Sequence, residues 1–190
     1  MNVVVEQITS WKRALDAARW TVGKESLGKD PSDKWKSKML LAEHSPIRLV
    51  EYDIKIKNAF NFVINHLVRH FIGFIPFVRS NRPDRNDEVK DDLQVNRLTP
   101  TSAWFSANAQ ALINVSRKRL CACASKETRE TWQEVKNKVA EVDPIMASKM
   151  VKNCIYRGFC PELESCGYSK TEKFQEDLIK YRKSDYGTEK

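Results

Sequence analysis

The sequence lacks several features that would assign it at once to a large class of proteins. It has no glycine-rich phosphate-binding loop of either common pattern, which argues against a kinase or a classical dinucleotide-binding fold. No apolar run approaches the ~18 residues that a membrane helix needs. The longest candidate, residues 71–78, is short and is interrupted by Gly73 and Pro76. We therefore expect no membrane partner.

A secretion signal is also missing, because residues 1–10 contain no basic stretch followed by an apolar core. The number of cysteines is five, which does not suit a complete set of disulfides. We expect a cytoplasmic protein whose thiols are free or metal-bound. Five residues separate Cys154 from Cys160 and Cys160 from Cys166, whereas zinc sites favour closer pairs. Buried or loop thiols are therefore favoured over a metal site, and we assign no metal ligand.

What the chain does contain fits one folded domain with a sizeable core. It has 190 residues, of which 41% are hydrophobic and 31% are charged. The net charge of +8 favours an anionic partner. Because basic and acidic residues are interleaved, ordinary solvated faces are favoured over a nucleic-acid surface. We assign residues 1–168 to a single domain and residues 169–190 to a charged C-terminal tail.

Hydrophobic periodicity predicts the elements of the first half. Ser10 is a good N-cap for a helix over residues 11–20. Residues 48–57 alternate between apolar and polar, which predicts a half-buried strand. A helix is expected to follow, capped by Asn58. Residues 71–78 then form an apolar strand or loop, and residues 80–95 form an exposed loop.

In the second half we predict that the longest helix begins at Thr101-Ser102 and ends near Cys121. On such a helix Asn108 and Arg119 share a face, ~16 Å apart along the axis. Further helices are predicted over residues 126–142 and 144–150, followed by a loop over residues 153–168. The fold class is α+β, with a long central helix packed against a small antiparallel sheet.

Three groups of residues are candidates for a functional site, and each has a structural alternative. The first group lies at the end of the helix that Asn58 is expected to cap, and consists of His66, Arg69 and His70. Cations at this place either bind an anionic cofactor or complement the helix dipole. The loop that begins Arg79-Ser80-Asn81-Arg82 and continues to Arg85 suits a phosphate, or is simply solvated.

The third group lies on the predicted long helix. Asn108, Gln110 and Asn114 are amides in an alanine-rich context, where asparagine is a poor interior residue. They either hydrogen-bond a polar ligand or satisfy buried backbone groups.

Taken together, these segments resemble the flavin-dependent thymidylate synthases (ThyX), over residues 10–168. The resemblance rests on an ordered set of matches rather than on one intact motif. The matching segments are Ala17-Ala18-Arg19, His44-Ser45-Pro46, Arg69-His70, Asn108-Ala109-Gln110-Ala111-Leu112 with Arg119, and residues 157–162 with Cys166-Gly167. The last of these resembles a short, cysteine-bearing branch of phages and archaea.

The resemblance implies an FAD-dependent enzyme that methylates dUMP to dTMP, with methylenetetrahydrofolate and NADPH as co-substrates. It also implies a homotetramer with shared active sites. The residues that it assigns to FAD are His44, Ser45, Arg69, His70, Asn108 and Asn114. Ser80, Arg82 and Arg119 would bind dUMP, and Arg119 would also be catalytic, by stabilising negative charge on the pyrimidine ring.

Four positions depart from the family pattern. Phe71 replaces a basic residue, Arg79 stands where a serine is usual, Arg48 replaces an acid, and Gln110 replaces an arginine. These changes keep a second hypothesis open, in which the chain is a non-catalytic or altered-specificity paralogue that binds a pyrimidine nucleotide.

Overall fold

The computed structural model describes residues 1–87, 89 and 94–183. Part of the loop predicted over residues 80–95, and residues 184–190 of the tail, lie outside the described residues. The strands are β1 (Asn2–Gln7), β2 (Glu51–Phe60), β3 (Phe74–Val78) and β4 (Pro100–Asn108). The helices are α1 (Trp11–Trp20), α2 (Asp33–Leu41), α3 (Asn61–Val68), α4 (Ala109–Arg119), α5 (Lys126–Val142), α6 (Pro144–Lys149), α7 (Asn153–Arg157) and α8 (Glu172–Lys183).

The four strands form one antiparallel sheet in the order β1-β2-β4-β3. In each strand every second residue points to the same face of the sheet. The residues on the inner face are mostly apolar and buried. In β2 these residues are Tyr52, Ile54 and Ile56, all fully buried. The alternation in the sequence therefore predicted both the strand and its inward face. The α+β fold with a small antiparallel sheet is confirmed.

The core lies between the sheet and the helices that cover its inner face. Phe74 of β3 stacks on Phe105 of β4 with ring centroids 4.6 Å apart, and Trp132 of α5 meets Phe74 edge-on at 5.9 Å. The indole Nε1 of Trp132 donates a 2.9 Å hydrogen bond to Ser116 Oγ on α4. This contact ties α5 to α4 inside the core.

A buried carboxylate joins three elements. Asp143, at the start of α6, accepts hydrogen bonds from Trp11 Nε1 at 2.6 Å and from Tyr52 Oη at 2.7 Å. It also accepts from the backbone N–H of Met146 at 2.9 Å, as the N-cap of α6. Burial, reinforced by the negative charge of Asp143, raises the pKa of Tyr52. Tyr52 therefore stays protonated and remains a donor to the carboxylate.

The helix predicted from Thr101 to Cys121 is wrong in its first half. Residues 100–108 form strand β4, and the helix begins only at Ala109. Thr101, Ala103, Phe105 and Ala107 are buried in alternation, which is the period of a strand. As a result α4 has 11 residues and is shorter than α5, which has 17.

Three smaller expectations are also corrected. Asn58 does not cap α3: it has a left-handed φ of 57° within β2, where the pairing with β4 shifts register, and α3 is preceded by Phe60. Helix α2 begins at Asp33, within residues 23–38, whose polar composition with Gly28 and Pro31 predicts a loop. The predicted loop over residues 153–168 contains the short helix α7.

The last helix packs on a second apolar cluster. Phe174, Leu178 and Tyr181 of α8 contact Cys154 and Ile155 of α7, and all five are buried. Among the described residues, no helix is both long enough and apolar enough to cross a membrane.

Candidate functional site

A cleft runs between α4 and the segment that links α3 to β3. Its volume is about 160 Å³, and it is lined by Arg69, His70, Phe71, Ile72, Ala111, Asn114 and Val115. The linking segment lies along α4, so that Gly73 meets the start of the helix and His70 meets its end. Three of the predicted site residues, Arg69, His70 and Asn114, therefore line one cleft.

Asn108 closes one end of the cleft as the N-cap of α4. Its Oδ1 accepts a 2.9 Å hydrogen bond from the backbone N–H of Ala111, and its own N–H donates to Gly73 O at 2.9 Å. Gly73 has a φ of 68°, and a Cβ added there would lie 2.4 Å from Asn108 Nδ2. Asn108 is thus a capping residue rather than a helix-interior amide, and Gly73 is the neighbour that lets it fit.

Arg119 occupies the other end. Its Nε donates to His70 Nε2 at 2.9 Å, and its Nη2 donates to the backbone carbonyl of His66 at 2.5 Å. Burial, with the charge of Arg119, lowers the pKa of His70 to about 4. His70 is therefore neutral at physiological pH and accepts through Nε2. Among the described residues, Arg119 Nη1 has no hydrogen-bond partner, so one donor of the guanidinium is available to a ligand.

The sequence left two roles open for the cations at the end of α3: binding of an anionic cofactor, or complementation of the helix dipole. The guanidinium of Arg119 satisfies the carbonyl of His66 in the last turn, as a helix-capping cation does. Arg69, in contrast, is exposed at the cleft, and its side chain forms no hydrogen bond or ion pair with a described residue. Arg119 thus makes a capping contact with the end of α3, while the expected binding of an anionic cofactor by Arg69 remains a prediction.

Asn114 contacts a cluster of polar side chains contributed by α4 and by the segment after α2. Its Oδ1 accepts from Gln110 Nε2 at 3.4 Å and from Arg117 Nη1 at 3.3 Å. Glu43 accepts a 2.5 Å hydrogen bond from Gln110 Nε2 and forms an ion pair with Arg117. The guanidinium of Arg117 also lies 3.5 Å over the ring of Tyr156. The NH₂ group of Asn114 has no acceptor among the described residues and is available as a donor.

The sequence reasoning missed Glu43 and Gly73. Glu43 has a left-handed φ of 51°, which is uncommon for a residue other than glycine, asparagine or aspartate. It precedes the His44-Ser45-Pro46 turn, and an acid next to that turn was the one available signal. Gly73 separates two apolar residues on each side, so an isolated glycine in an apolar run was the signal for a close backbone approach.

His44 and Ser45 lie beside the start of α4 but outside the cleft. They open the short 3-10 turn Ser45–Leu49, and Val50 O just after it accepts from the backbone N–H of Ala109 at 2.8 Å. Both side chains are exposed and form no hydrogen bond with a described residue. Their expected contact with a flavin remains a prediction.

Ser80 and Arg82 lie beyond the far end of β3. The strand begins beside Ala107 and ends beside Ala103, so it carries the chain about 13 Å away from the cleft. The Arg82 guanidinium donates to both carboxylate oxygens of Asp84, at 2.9 and 2.7 Å. Ser80 Oγ accepts from the N–H of Arg82 at 3.2 Å. Within one chain, the structure does not bring these residues to Arg119.

The cysteines show no catalytic arrangement. All five are free, and Cys121, Cys154 and Cys166 line a common cavity. The described residues contain no group of three or more His, Cys, Asp or Glu placed to hold a metal ion. The neighbouring Cys121 raises the pKa of Cys123 to about 11, and burial raises that of Cys154. These two thiols are protonated at neutral pH and are poor nucleophiles.

Solved structures with the same fold contain a pyrimidine nucleotide, and two of them also contain FAD. A flavin-dependent thymidylate synthase ThyX from Helicobacter pylori, complexed with FAD and dUMP, superposes with a TM-score of 0.65 at 15% identity, covering 80% of this chain and 100% of that one. A second structure of ThyX from Helicobacter pylori with FAD and dUMP gives 0.64 at 16% identity, with the same coverage. The UMP/dUMP methylase PolB from Streptomyces cacaoi, bound with 5-Br dUMP, gives 0.59 at 13% identity, covering 83% of this chain and 96% of that one.

No protein-family model matches the chain, and no curated protein matches it in sequence. The similarity to the solved structures therefore establishes the ThyX fold, while activity has to be argued from the residues of this chain. It confirms the fold resemblance seen in the sequence.

Proposed function

We propose that the protein is an FAD-dependent enzyme that methylates dUMP to dTMP, with methylenetetrahydrofolate and NADPH as co-substrates. The observation that carries the proposal is the single cleft that unites Arg69, His70 and Asn114 and has Asn108 and Arg119 at its two ends. These residues come from two separate stretches of sequence, and all five were assigned to a flavin–nucleotide site by their resemblance to ThyX.

The chemistry of the cleft fits a flavin. Phe71 and Ile72 are 75% and 77% exposed beside it and offer an apolar surface to a ring system. Asn114 offers an amide donor and Arg69 a cation for a diphosphate. The cleft of about 160 Å³ is, however, smaller than the roughly 300–1,000 Å³ typical of sites that enclose a whole ligand. One chain thus supplies part of the binding site.

The residues of this chain bind, orient and stabilise charge. FAD held in this cleft would supply the hydride, after its reduction by NADPH. The neutral His70 holds Arg119 through its Nε2 and so fixes the direction of the guanidinium. The free Nη1 of Arg119 is the donor that we assign to a pyrimidine carbonyl, where it stabilises negative charge that develops on the ring.

An assembly of four copies would complete the site. The outer face of the sheet exposes Ile75, Phe77 and Trp104, which are 56%, 55% and 42% accessible. Phe77 and Trp104 pair across β3 and β4, with ring centroids 5.4 Å apart. An apolar face of this kind is typical of a protein–protein contact. We propose that it packs against another copy, and that Ser80 and Arg82 of one chain serve the cleft of another.

Flavin content and turnover test the proposal together. The purified protein is loaded with FAD, its absorbance is recorded, and tritium release from labelled dUMP is followed with NADPH and methylenetetrahydrofolate. Arg119→Lys retains a charge but loses the fork geometry, and we expect a loss of at least ~100-fold in turnover with FAD binding retained. The exposed Arg13→Lys on α1 is the control. A protein that cannot be loaded with FAD contradicts the proposal.

A second candidate function is binding of a pyrimidine nucleotide without catalysis. Two observations favour it: Gln110 faces Glu43 where the family has an arginine, and Arg82 is already neutralised by Asp84. Calorimetry with dUMP, dTMP and FAD separates the two functions. Nucleotide binding in a chain that neither binds nor reduces a flavin supports the second, and a chain that binds none of the three supports neither.

A further inference from the structure

A second cavity, larger than the cleft, shares no lining residue with it. Its volume is about 840 Å³, and it lies between α5, α6, α7 and α8. Its apolar wall joins two separate cores: Leu120, Ala147 and Met150 belong to the main core, and Ile155 and Tyr181 belong to the cluster under α8. The cavity therefore lies between the main core and the apolar cluster under α8.

Three lysines converge on this cavity without a salt bridge to any described residue. Lys136 comes from α5, Lys152 from the segment before α7, and Lys180 from α8. None of them forms a salt bridge with a described residue. Among the described residues, the one carboxylate in the wall is Asp177, which already accepts a hydrogen bond from Tyr168 Oη at 2.5 Å and pairs with Lys173 at 3.0 Å. A net positive charge remains at the mouth of an apolar cavity.

The surroundings of Lys136 make this charge unfavourable in the ligand-free chain. Burial lowers the pKa of Lys136 against the opposing effect of Asp177, and the charges of Lys180 and Lys152 lower it further. Lys152 is held in place by the ring of Tyr168, whose centroid is 3.8 Å from its Nζ. An anion placed among the three ammonium groups removes their mutual repulsion and replaces the hydration that burial takes away.

We infer that this cavity binds an amphipathic anion, a molecule with an apolar body and a carboxylate, sulfonate or phosphate group. The apolar body packs on Ala147, Met150 and Ile155, while the acidic group lies among the lysines. The volume falls within the range of sites for small organic ligands. Inorganic phosphate alone satisfies the charge but leaves the apolar wall uncovered. This inference does not depend on the proposed function.

The test uses the full chain and the fluorescent sulfonate 1-anilinonaphthalene-8-sulfonate, which has the required apolar body and single anionic group. We expect saturable binding that Lys136→Gln weakens about tenfold, the loss of one charge-assisted contact. Lys138→Gln on the same helix is the matched control, because Lys138 pairs with Glu141 at 2.8 Å outside the cavity. Ala140→Trp places a ring in the cavity from an exposed position and blocks binding with all lysines retained.

Displacement defines the ligand class. Dodecanoate is expected to displace the probe, whereas inorganic phosphate at the same concentration is not. Equal probe binding by the wild type, Lys136→Gln and Ala140→Trp overturns the inference, because it assigns the signal to apolar surface elsewhere. Displacement by phosphate as effective as by dodecanoate overturns the amphipathic class. FAD loading of Ala140→Trp, measured in parallel, is expected to equal that of the wild type, so failure here is distinct from failure of the flavin site.

Discussion

Gly73→Ala is the substitution that most directly tests how the cleft is built. Gly73 has a φ of 68°, and its missing side chain leaves room for Asn108: an added Cβ would lie 2.4 Å from Nδ2 and 2.9 Å from Oδ1 of that asparagine. Asn108 would have to turn away and give up the hydrogen bond that caps α4 at Ala111. One methyl group thus disturbs both the backbone turn and the helix start.

The size of the effect follows from two separable costs. An alanine in the left-handed region costs about 1–2 kcal/mol relative to glycine. Loss of an asparagine N-cap costs about 1 kcal/mol more. Gly28 supplies the matched control, since its φ is 69° and nothing lies within 4 Å of the position of an added Cβ. Gly28→Ala therefore carries the first cost alone, and the two variants should differ by ~1 kcal/mol in free energy of unfolding.

Urea denaturation and thermal melting measure this difference, which corresponds to roughly 2–4 °C in Tm for a chain of this size. In an Asn108→Ala background the extra penalty of Gly73→Ala should disappear, because the displaced side chain is no longer there. Flavin affinity should fall for Gly73→Ala and stay unchanged for Gly28→Ala. Equal destabilisation by Gly73→Ala and Gly28→Ala would refute the close approach as the reason for the glycine.

Three further substitutions probe the contacts that support the site. Tyr52→Phe removes one donor to the buried Asp143 and should lower the free energy of unfolding by about 2 kcal/mol in urea denaturation; an unchanged midpoint contradicts this role. The pKa of His70 is lowered in the fold, so the unfolded chain binds more protons between about pH 4 and 6.5, and stability falls as pH falls through that window. His70→Gln should flatten this part of the Tm–pH curve, and an unaltered slope assigns the dependence to other groups. Glu43→Gln leaves the mostly buried Arg117 without its ion-pair partner and should lower the free energy of unfolding by about 2 kcal/mol, whereas no loss would mean that solvent replaces the carboxylate.

The strands and helices could be predicted where one periodicity dominates. Residues 50–56 alternate strictly between apolar and charged side chains, and the structure forms strand β2 there. The start of α4 was misplaced because Ala107, Ala111, Leu112 and Val115 have helical spacing even though Ala107 belongs to β4. The β-branched and aromatic residues of β4 carried the opposite preference, and the pairing with two neighbouring strands decided between them.

The candidate site was predictable in its residue types but not in its contacts. Arg69, His70, Asn108, Asn114 and Arg119 were each singled out from the sequence, and the structure brings them to one cleft or to its ends. Whether Asn108 lies inside a helix or caps it depends on where a strand ends, which is a tertiary outcome. The contacts of Glu43 with α4 span more than 60 residues of chain, so no local pattern could reveal them.

The measurement that tests the central proposal most directly is a single-turnover assay on protein loaded with FAD. The flavin is reduced with NADPH, and labelled dUMP and methylenetetrahydrofolate are then added while tritium release and dTMP are followed. We predict reoxidation of the flavin together with the formation of dTMP, and loss of both in Arg119→Lys. Retention of a reducible flavin with neither tritium release nor dTMP would contradict thymidylate synthesis.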